Sequence, residues 1–332
     1  PRLASAFASR HGAGLQLTVY THPLYTDAIS TDARFPRLRY RQVAEALAQK
    51  PQVRVAPSPL ARRGDLTPVH GPGFVDDFLS GRLSEAERRR IGLTPWTDQI
   101  RERTLRIMGG SLAALDAAMA ETGIAGNLAG GTHHAHRTFG SGYCVFNDIA
   151  LVVRRARTHW GITNILVVDL DVHQGDGTAT LLSNDPHAHT FSLHCRVNFP
   201  FRKARSDRDV ALPAGTTDGP YLGCLAYHLD RAFERSEPEL VIYQAGVDAL
   251  AADKLGRMRL SRAGLARRND MVFARSARSG IPTVVLMGGG YAEPLSASVQ
   301  AHTDVYQQAA EHTFQPERPE PTGAGEGIRS RC

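Results

Sequence analysis

ILVVDLDVHQGDG, at residues 165–177, combines a short apolar run with a cluster of polar side chains. The first four residues are apolar and mostly β-branched, which is typical of a strand buried on both faces of a parallel sheet. Asp169, Asp171 and His173 then alternate with apolar residues. Because an extended backbone points alternate side chains to one side, these three polar groups face the same way. This segment therefore predicts a buried strand with a polar site at its carboxyl end.

Similar apolar runs recur along the chain and alternate with segments of helical spacing. The predicted strands are QLTVY at residues 16–20 and residues 124–128, 165–168, 240–244 and 283–287. The predicted helices include Ile149 to Thr158, Tyr221 to Arg235 and Leu260 to Ser279. Strands that alternate with helices in this way are typical of βαβ units. The pattern predicts an α/β fold, a single-domain, open, mostly parallel sheet with helices on both faces.

The domain boundaries follow from composition. No linker-like change occurs between residues 15 and 313, so this segment is predicted to form one domain. Residues 1–14 are interpreted as an N-terminal extension. Residues 314–332 include QPERPEPTGAGEG, which is rich in proline, glycine and charge. They are predicted to form a disordered tail.

Composition excludes several classes of protein. The chain has 332 residues, of which 42% are hydrophobic and 22% charged, the balance of a globular protein. No apolar run approaches the ~20 residues that span a bilayer, so we expect no membrane segment. Arg2, Arg10 and His11 interrupt the first twenty residues before a signal-peptide core can form. The four cysteines are widely scattered, which does not favour a disulfide scaffold, and we expect a reduced, cytoplasmic protein.

The formal charge of +6 does not by itself predict a nucleic-acid partner. The chain has 39 lysines and arginines, but Lys50, Lys203 and Lys254 are its only lysines. The arginines are interleaved with acids, as in AERRR and RERTLR, which suits solvated helix faces better than a stripe that follows phosphates. We therefore expect no nucleic-acid partner. Nothing in the sequence indicates the oligomeric state.

Polar segments follow four of the predicted strands. They are AGGTHHAH after residues 124–128, DLDVHQGDG after 165–168, AGVDAL after 240–244 and GGGY after 283–287. Ligands of open parallel sheets bind beyond the carboxyl ends of the strands, so we expect these segments to build one site.

Three residues of these segments are candidate metal ligands. Asp171 and His173 can share one ion because they lie on the same side of an extended backbone, and Asp248 is the best candidate for a third ligand. Two carboxylates and an imidazole suit zinc and leave a coordination position open, as in catalytic sites. The alternative is that acids at strand ends cap the following helix, with Asp176 in GDG as the cap.

The histidine pair and the tyrosine are candidates for proton transfer and oxyanion binding. The distal nitrogens of His133 and His134 can donate to Asp169 and Asp176, which would fix the orientation of both rings. Tyr291, after three glycines, can donate a hydrogen bond to a developing oxyanion. Taken alone, the histidines can also be loop residues without chemistry, and GGGY a flexible loop that ends in a core aromatic residue.

Together these residues resemble the zinc-dependent histone deacetylase family, which includes bacterial deacetylase-like proteins and acetylpolyamine amidohydrolases and has an arginase-like α/β fold. The similarity runs from about Tyr20 to Tyr291. The matching segments, in the family's order, are NLAGGTHHA, GSGYCVFND, VVDLDVHQGDGT, FSLH, YQAGVDALAADKLG and MGGGY. RFPRLRY, TPW and NFPFRKARSDRDVALPAGTTDGPYL are most similar to the class IV branch and its bacterial relatives.

The resemblance implies a role for each matched residue. The implied zinc ligands are Asp171, His173 and Asp248. The implied catalytic residues are His133, His134 and Tyr291, with Asp169 and Asp176 behind the histidines. The implied substrate-binding residues are Gly142, Tyr143, Phe199 and Leu255, and Asp169 and Ser192 belong to an implied structural potassium site. Two departures, Tyr143 in place of phenylalanine and Phe74 in place of a frequent tyrosine, are expected to affect the rim of the site and not its chemistry.

The implied activity is zinc-dependent hydrolysis of acetyl or longer acyl groups on lysine side chains of proteins. One alternative is a deacetylase of acetylpolyamines or other small acylated amines. A second is a catalytically silent module that binds acyl-lysine. A third, a two-metal ureohydrolase of the arginase type, needs an additional histidine and more aspartates at the same strand ends.

Overall fold

The computed structural model describes residues 15–316, which form one eight-stranded sheet. The strands are β1 (Leu17–Thr21), β2 (Val53–Pro57), β3 (Ile124–Asn127), β4 (Ile165–Asp169), β5 (Ala188–Cys195), β6 (Arg208–Leu212), β7 (Leu240–Gln244) and β8 (Thr283–Leu286). Their spatial order is β2-β1-β3-β8-β7-β4-β5-β6, and every neighbouring pair is parallel. The predicted open, parallel α/β sheet is therefore confirmed.

Helices cover the centre of the sheet on both faces. They are α1 (Leu24–Asp27), α2 (Leu38–Ala48), α3 (Arg63–Leu66), α4 (Pro72–Leu79), α5 (Glu85–Ile91), α6 (Ile100–Ala117), α7 (Asp148–Trp160), α8 (Asp176–Leu182), α9 (Asp218–Ser236), α10 (Arg262–Arg278) and α11 (Leu295–Glu311), and α6 continues into a π-helical turn at Ala118–Thr122. Strands β3, β4, β7 and β8 are buried at every residue. Successive side chains of a strand point to opposite faces, so complete burial requires cover on both. None of the helices within residues 15–316 is both long and apolar enough to cross a membrane.

Helix α7 illustrates how the local sequence sets an element of the site. The side chain of Asn147 accepts a hydrogen bond from the backbone N–H of Ala150 at 3.0 Å and so caps the first turn. The helix ends at Gly161, which adopts a left-handed φ of 67°. The cap fixes the start of α7, so that Asp148 becomes its first residue.

The predicted strands agree with the structure to within one residue at each end, and the three predicted helices to within three. Strands β2, β5 and β6 were not predicted. The edge strand β6 begins with the exposed residues Arg208 and Asp209, so it lacks the apolar run that identifies the central strands. The polar residues within β5 obscure its pattern in the same way.

The predicted tail begins too early. Phe314 is buried, its backbone N–H donates to the carbonyl of Thr122 at 3.0 Å, and a Cβ at Gly123 would collide with its ring. The folded part therefore includes Phe314, and the predicted boundary between residues 313 and 314 is wrong. The predicted extension at residues 1–14 and the remainder of the predicted tail, 317–332, lie outside the described residues.

Candidate active site

The four polar segments meet at one end of the sheet. Strands β3, β8, β7 and β4 are neighbours in that order, so their carboxyl ends lie side by side. A cavity of about 520 Å³ opens there, within the usual range of pockets for small ligands. Its lining includes His133, His134, Asp171, His173, Asp248 and Tyr291, which come from all four segments.

Asp171, His173 and Asp248 form a buried cluster at the floor of this cavity. One potential ligand atom of each residue lies within 4.8 Å of the other two. Nδ1 of His173 is 3.0 Å from Oδ1 of Asp171 and 3.2 Å from Oδ2 of Asp248. Two buried carboxylates repel one another unless a cation lies between them, and this donor set is one that a divalent metal accepts. Within residues 15–316 it is the only such group of three potential ligands, and these atoms are close enough together to hold a metal ion.

Other groups hold the remaining oxygens of the two aspartates. Oδ2 of Asp171 accepts hydrogen bonds from Nε2 of Gln244 and the backbone N–H of Gly289, both at 2.9 Å. Oδ1 of Asp248 accepts from the backbone N–H of Val172 at 2.8 Å. Such outer partners orient metal ligands, here with one oxygen of each carboxylate left for the cluster. Gln244 was not among the predicted site residues, although it is a polar residue at the end of an apolar strand.

The glycines before Tyr291 allow the backbone to approach the cluster. A Cβ at Gly289 would collide with Oδ2 of Asp248 and would lie 2.9 Å from Oδ2 of Asp171. Gly288 adopts a φ of 66°, a conformation that glycine tolerates at little cost. The close approach to the cluster and the positive φ therefore explain why glycines stand at positions 288 and 289.

His133 and His134 each bond to a carboxylate through Nδ1, as the sequence analysis predicted. Nδ1 of His133 is 2.7 Å from Oδ2 of Asp169, and Nδ1 of His134 is 2.7 Å from Oδ1 of Asp176. Nε2 of each ring is then on the side away from its carboxylate. The alternative role of Asp176 as a helix cap does not apply, because Gly175 is the N-cap of α8 and no side chain caps it.

The two histidines differ in charge. Burial lowers the pKa of His133, but the carboxylates of Asp169 and Asp171 outweigh burial and raise the pKa to about 9. Burial, together with the charge of neighbouring His133, lowers the pKa of His134 to about 3 in spite of Asp176. A cation bound beside Asp171 would weaken the pull of that carboxylate on His133. Near neutral pH His134 is the neutral imidazole, which is the state that a general base needs.

A further buried acid, Asp148, holds the loop that carries the histidine pair. Its carboxylate accepts hydrogen bonds from the backbone N–H of Gly131 at 3.0 Å and from the N–H and hydroxyl of Thr132 at 2.8 and 2.6 Å. The hydroxyl of Ser111 donates to it at 2.6 Å. The amino end of α7 also favours its negative charge. Asp148 was not among the predicted site residues, although it ends the segment GSGYCVFND.

Tyr291 presents a protonated hydroxyl to the cavity. Burial raises its pKa well above the ordinary value, so the phenol remains a hydrogen-bond donor at neutral pH. Its backbone N–H donates to Asp253 at 2.6 Å. The guanidinium of Arg39 lies 5.2 Å from the centre of its ring and donates to the carbonyls of Gly290 at 2.6 Å and Gly288 at 3.3 Å. These contacts order the GGGY segment, so the flexible-loop alternative does not apply.

Two of the predicted substrate-binding residues supply aromatic walls to the cavity. The ring of Phe199 lies 4.8 Å from that of His134, in an edge-to-face arrangement. The ring of Tyr143 lies 5.8 Å from that of Tyr291. Tyr143 adopts a φ of 66°, which is uncommon for a residue with a side chain, and its backbone N–H donates to the carbonyl of Ile91 at 2.7 Å.

Gly142 and Leu255, the other two predicted substrate-binding residues, also line the cavity. Leu255 is 41% exposed. Its carbonyl accepts from Nδ2 of Asn198 at 2.7 Å, and the same Nδ2 lies 3.2 Å from Nε2 of His173. Asn198, which the sequence analysis missed, therefore connects the mouth of the cavity with its floor.

One of the two departures from the family pattern does not affect the rim. Phe74 is 7% exposed, packs 5.4 Å from the ring of Phe146 and is not part of the cavity lining. The expectation that Phe74 alters the rim is therefore wrong, because its side chain belongs to the core. Tyr143, the other departure, does line the cavity.

Ser192 lies beside Asp169 across the β4–β5 pair. Both residues are buried, and the hydroxyl of Ser192 is 2.9 Å from Nδ1 of His194. Oδ1 of Asp169 accepts from the backbone N–H of Asp171 at 3.2 Å. A potassium ion at Asp169 and Ser192 stays a prediction.

Comparisons with known proteins agree with this chemistry. Residues 33–306 match the family model described as the histone deacetylase domain. An uncharacterized protein of Picosynechococcus sp. is 40% identical over 295 residues, which cover 88% of this chain and 97% of the relative. Histone deacetylase 2 of Arabidopsis thaliana is 35% identical over 216 residues, 64% of this chain and 55% of the relative. The acetoin utilization protein AcuC of Staphylococcus aureus is 26% identical over 298 residues, 82% of this chain and 76% of the relative. This chain therefore belongs to the histone deacetylase family and is a deacetylase.

Proposed function

We propose that this deacetylase removes acetyl or longer acyl groups from lysine side chains, with one zinc ion bound by Asp171, His173 and Asp248. The observation that carries the proposal is the buried cluster of these residues, with ligand atoms within 4.8 Å, in one cavity with His134 and Tyr291. Two carboxylates and one imidazole suit zinc and leave a position open for a reactant. Within residues 15–316 there is no second cluster of three potential ligands of the kind that the binuclear alternative requires.

In the proposed mechanism His134 is the general base. When bound, zinc supplies Lewis acidity toward the substrate carbonyl and toward the attacking water. The neutral Nε2 of His134 accepts a proton from that water as its oxygen bonds to the carbonyl carbon. Asp176, 2.7 Å from Nδ1, holds the ring in place and stabilises the imidazolium that forms. His133, kept charged by Asp169, adds positive potential beside the developing oxyanion.

Collapse of the tetrahedral species requires a donor for the oxyanion and a proton for the leaving group. The hydroxyl of Tyr291 donates to the oxyanion, a contact that strengthens as charge develops. The imidazolium of His134 then returns its proton to the lysine nitrogen as the carbon–nitrogen bond breaks. The products are a carboxylic acid and a free lysine amine.

We assign substrate positioning to four residues. The rings of Tyr143 and Phe199 can enclose the methylene chain of acyl-lysine, and the backbone carbonyl of Gly142 can accept a hydrogen bond from the substrate amide. Leu255 offers apolar contact at the mouth. The similarity of RFPRLRY and TPW to the class IV branch supports a place for this chain near that branch. Long acyl groups therefore stay among the proposed substrates.

The charges around the cavity favour an acyl-lysine over an acetylpolyamine. Among the described residues, the only carboxylates in the lining are those of Asp171 and Asp248, which lie at the floor. The exposed residues Arg90 and Arg257 also line the cavity. A polyamine would bring further positive charges to a mouth that offers it no carboxylate. The second candidate, a small acylated amine without extra charge, meets no such penalty.

Potassium and cytoplasmic location are also part of the proposal. Oxygen ligands such as those of Asp169 and Ser192 suit a hard cation. The thiols of Cys144, Cys195 and Cys224 are unpaired with one another, as expected in a reducing compartment.

A substrate panel tests the proposed activity. Catalytic efficiencies are measured for peptides with acetyl-lysine, peptides with longer acyl-lysines, and a monoacetylated polyamine, with zinc removed and then restored. We expect zinc-dependent turnover of the acyl-lysine peptides and weaker turnover of the polyamine. A higher efficiency on the polyamine would favour the small-molecule alternative. Binding of acyl-lysine without turnover in zinc-loaded protein would support the silent binding module.

A further inference from the structure

Arg268 is a fully buried cation that the proposed mechanism does not use. It belongs to α10, its exposure is 0%, and it is among the largest completely buried side chains. Among the described residues, no carboxylate lies within ion-pair distance of its guanidinium. A buried charge without a counterion is costly unless hydrogen bonds replace its hydration. Its partners therefore indicate what it does.

Those partners are backbone carbonyls at the ends of two central strands. Nη1 donates to the carbonyl of Gly246 at 2.6 Å and to that of Leu170 at 3.3 Å. Nη2 donates to the carbonyl of Ala245 at 3.3 Å. Nε and Nη2 both donate to Oδ1 of Asn269, at 3.1 and 2.8 Å, which fixes the plane of the guanidinium.

The bonded carbonyls adjoin the metal ligands. Leu170 directly precedes Asp171 after β4, and Gly246 lies two residues before Asp248 after β7. The regular pairing of the two strands ends at Asp169 and Gln244. Beyond that point the two segments no longer form a ladder, and Nη1 bridges them while Nη2 holds a second carbonyl of the segment after β7. Without it, three buried carbonyls would lose a donor.

We propose that Arg268 is a positioning residue that sets the separation of Asp171 and Asp248, and thereby the affinity of the site for its metal. This inference rests on the proposed zinc site. The planar fork of an arginine can hold one carbonyl after β4 and two after β7 while Asn269 fixes its plane, whereas a lysine ammonium is a compact donor without that planar geometry. Loss of the fork lets the two segments move apart, and the ligands then no longer share one ion in unstrained geometry.

Zinc affinity, measured by competition with a chelator, tests this role in Arg268→Met, Arg268→Lys and wild-type protein. Loss of an outer partner typically weakens metal binding about 10–100-fold, and we expect that range for Arg268→Met. Arg268→Lys should lie between it and the wild type. The visible spectrum of bound cobalt(II) gives a second readout, because its bands report coordination geometry, and it should change in both variants.

Arg103→Met is the matched control. Arg103 is also buried, with 4% exposure, and donates to the backbone carbonyl of Tyr25 at 3.1 Å and to the hydroxyl of Tyr40 at 3.3 Å, but it contacts neither ligand-bearing segment. Its loss should lower thermal stability and leave zinc affinity and the cobalt spectrum unchanged.

The outcomes separate this inference from the proposed function. If the wild type binds no zinc, the proposed site fails and the positioning role fails with it. If the wild type binds zinc and the folded Arg268 variants bind it within twofold of the wild type, only the positioning role is overturned. Should Arg268→Met fail to fold, Arg268→Lys decides, with at least about threefold weaker binding expected and unchanged affinity contradicting the role.

Discussion

The floor and the mouth of the cavity differ in how firmly their side chains are held. At the floor, Asp171 and Asp248 are 1% and 0% exposed, and each carboxylate is fixed by a backbone N–H donor. At the mouth, Phe201 is 90% exposed and Val197 58% exposed, so few contacts restrain them. The floor can therefore hold one geometry for the reaction, whereas the mouth can change with little effect on it. Chemistry and substrate choice are separate properties of this fold.

Replacement of the histidines gives the largest kinetic effect among the floor variants that retain the metal ligands. General bases contribute roughly 10²–10⁴-fold, so we expect His134→Ala to lower turnover by that range or more. His133→Ala should cost less, because His133 acts on its neighbour through charge. In the wild type, turnover should fall at acidic pH as the base is protonated. His134→Ala should lose much of this acidic limb when zinc occupancy is held constant. Equal losses in both variants, with unchanged acidic limbs, would argue against a single histidine as the base.

Tyr291→Phe should lower turnover by about 10²–10³-fold, the scale of one lost oxyanion donor, with a much smaller change in KM. Steady-state kinetics with an acyl-lysine peptide measures both constants. The ring and its contact with Arg39 remain in this variant, so zinc content and thermal stability should match the wild type. A normal turnover number would remove the hydroxyl from the mechanism.

His70 makes the support of the histidine loop sensitive to pH. Its Nδ1 donates to the carbonyl of His136 at 2.9 Å and its Nε2 accepts from the N–H of Asn147 at 2.9 Å, so the neutral ring fits the site. Burial lowers its pKa to about 4, compared with an ordinary value of 6.5. Below pH 6.5 the His70 ring binds a proton in the unfolded chain but stays neutral in the folded protein until the pH approaches 4. The stability present above pH 6.5 is therefore lost as the pH falls toward 4, by at most about 3 kcal/mol.

Urea unfolding of metal-free protein at pH 7.5 and pH 5 measures this effect. The wild type should lose more stability between these pH values than His70→Gln, in which the titrating ring is absent. His159→Gln, at an exposed position of α7, is the control and should behave as the wild type does. The same pH dependence in His70→Gln would show that the loop does not depend on a neutral His70.

The smallest expected effect concerns the mouth. Arg257→Glu should lower the catalytic efficiency for an acyl-lysine peptide with acidic neighbours and raise it for one with basic neighbours. The change should be about 2–10-fold, because the charge is exposed and screened, and it should shrink at high salt. Arg259→Glu makes the same change of charge two residues away, at an exposed position outside the cavity lining. Identical selectivity in both variants would remove Arg257 from substrate choice.

The same difference between floor and mouth explains what the sequence could predict. Asp171 and His173 alternate with apolar residues at a strand end, and such a period of two can be recognised from the sequence without a structure. Gln244 and Asn198 have no such pattern, because their roles depend on which strand and loop lie beside them in space. Exposed Phe201 is one of many apolar residues, and only the folded chain places it near the cavity.

The fold was predictable for the same physical reason. The central strands are apolar at nearly every position because both faces are covered, and their ends were predicted to within one residue. The edge strand β6 has exposed charged residues and no continuous apolar run, so its pattern resembles that of a loop. The cover that Phe314 gives to Gly123 arises from a long-range contact that composition does not reveal.

Zinc titration of metal-free wild-type protein and of Asp248→Ala tests the central claim most directly. In the wild type, turnover of an acyl-lysine peptide should rise in proportion to added zinc and reach its maximum at one ion per chain. Asp248→Ala should bind zinc much more weakly and show no turnover. The control is Asp116→Ala, which removes a carboxylate of α6 that accepts from Arg155 of α7, and it should titrate as the wild type does. Full turnover by metal-free wild type, or normal zinc stoichiometry and turnover in Asp248→Ala, would contradict the account.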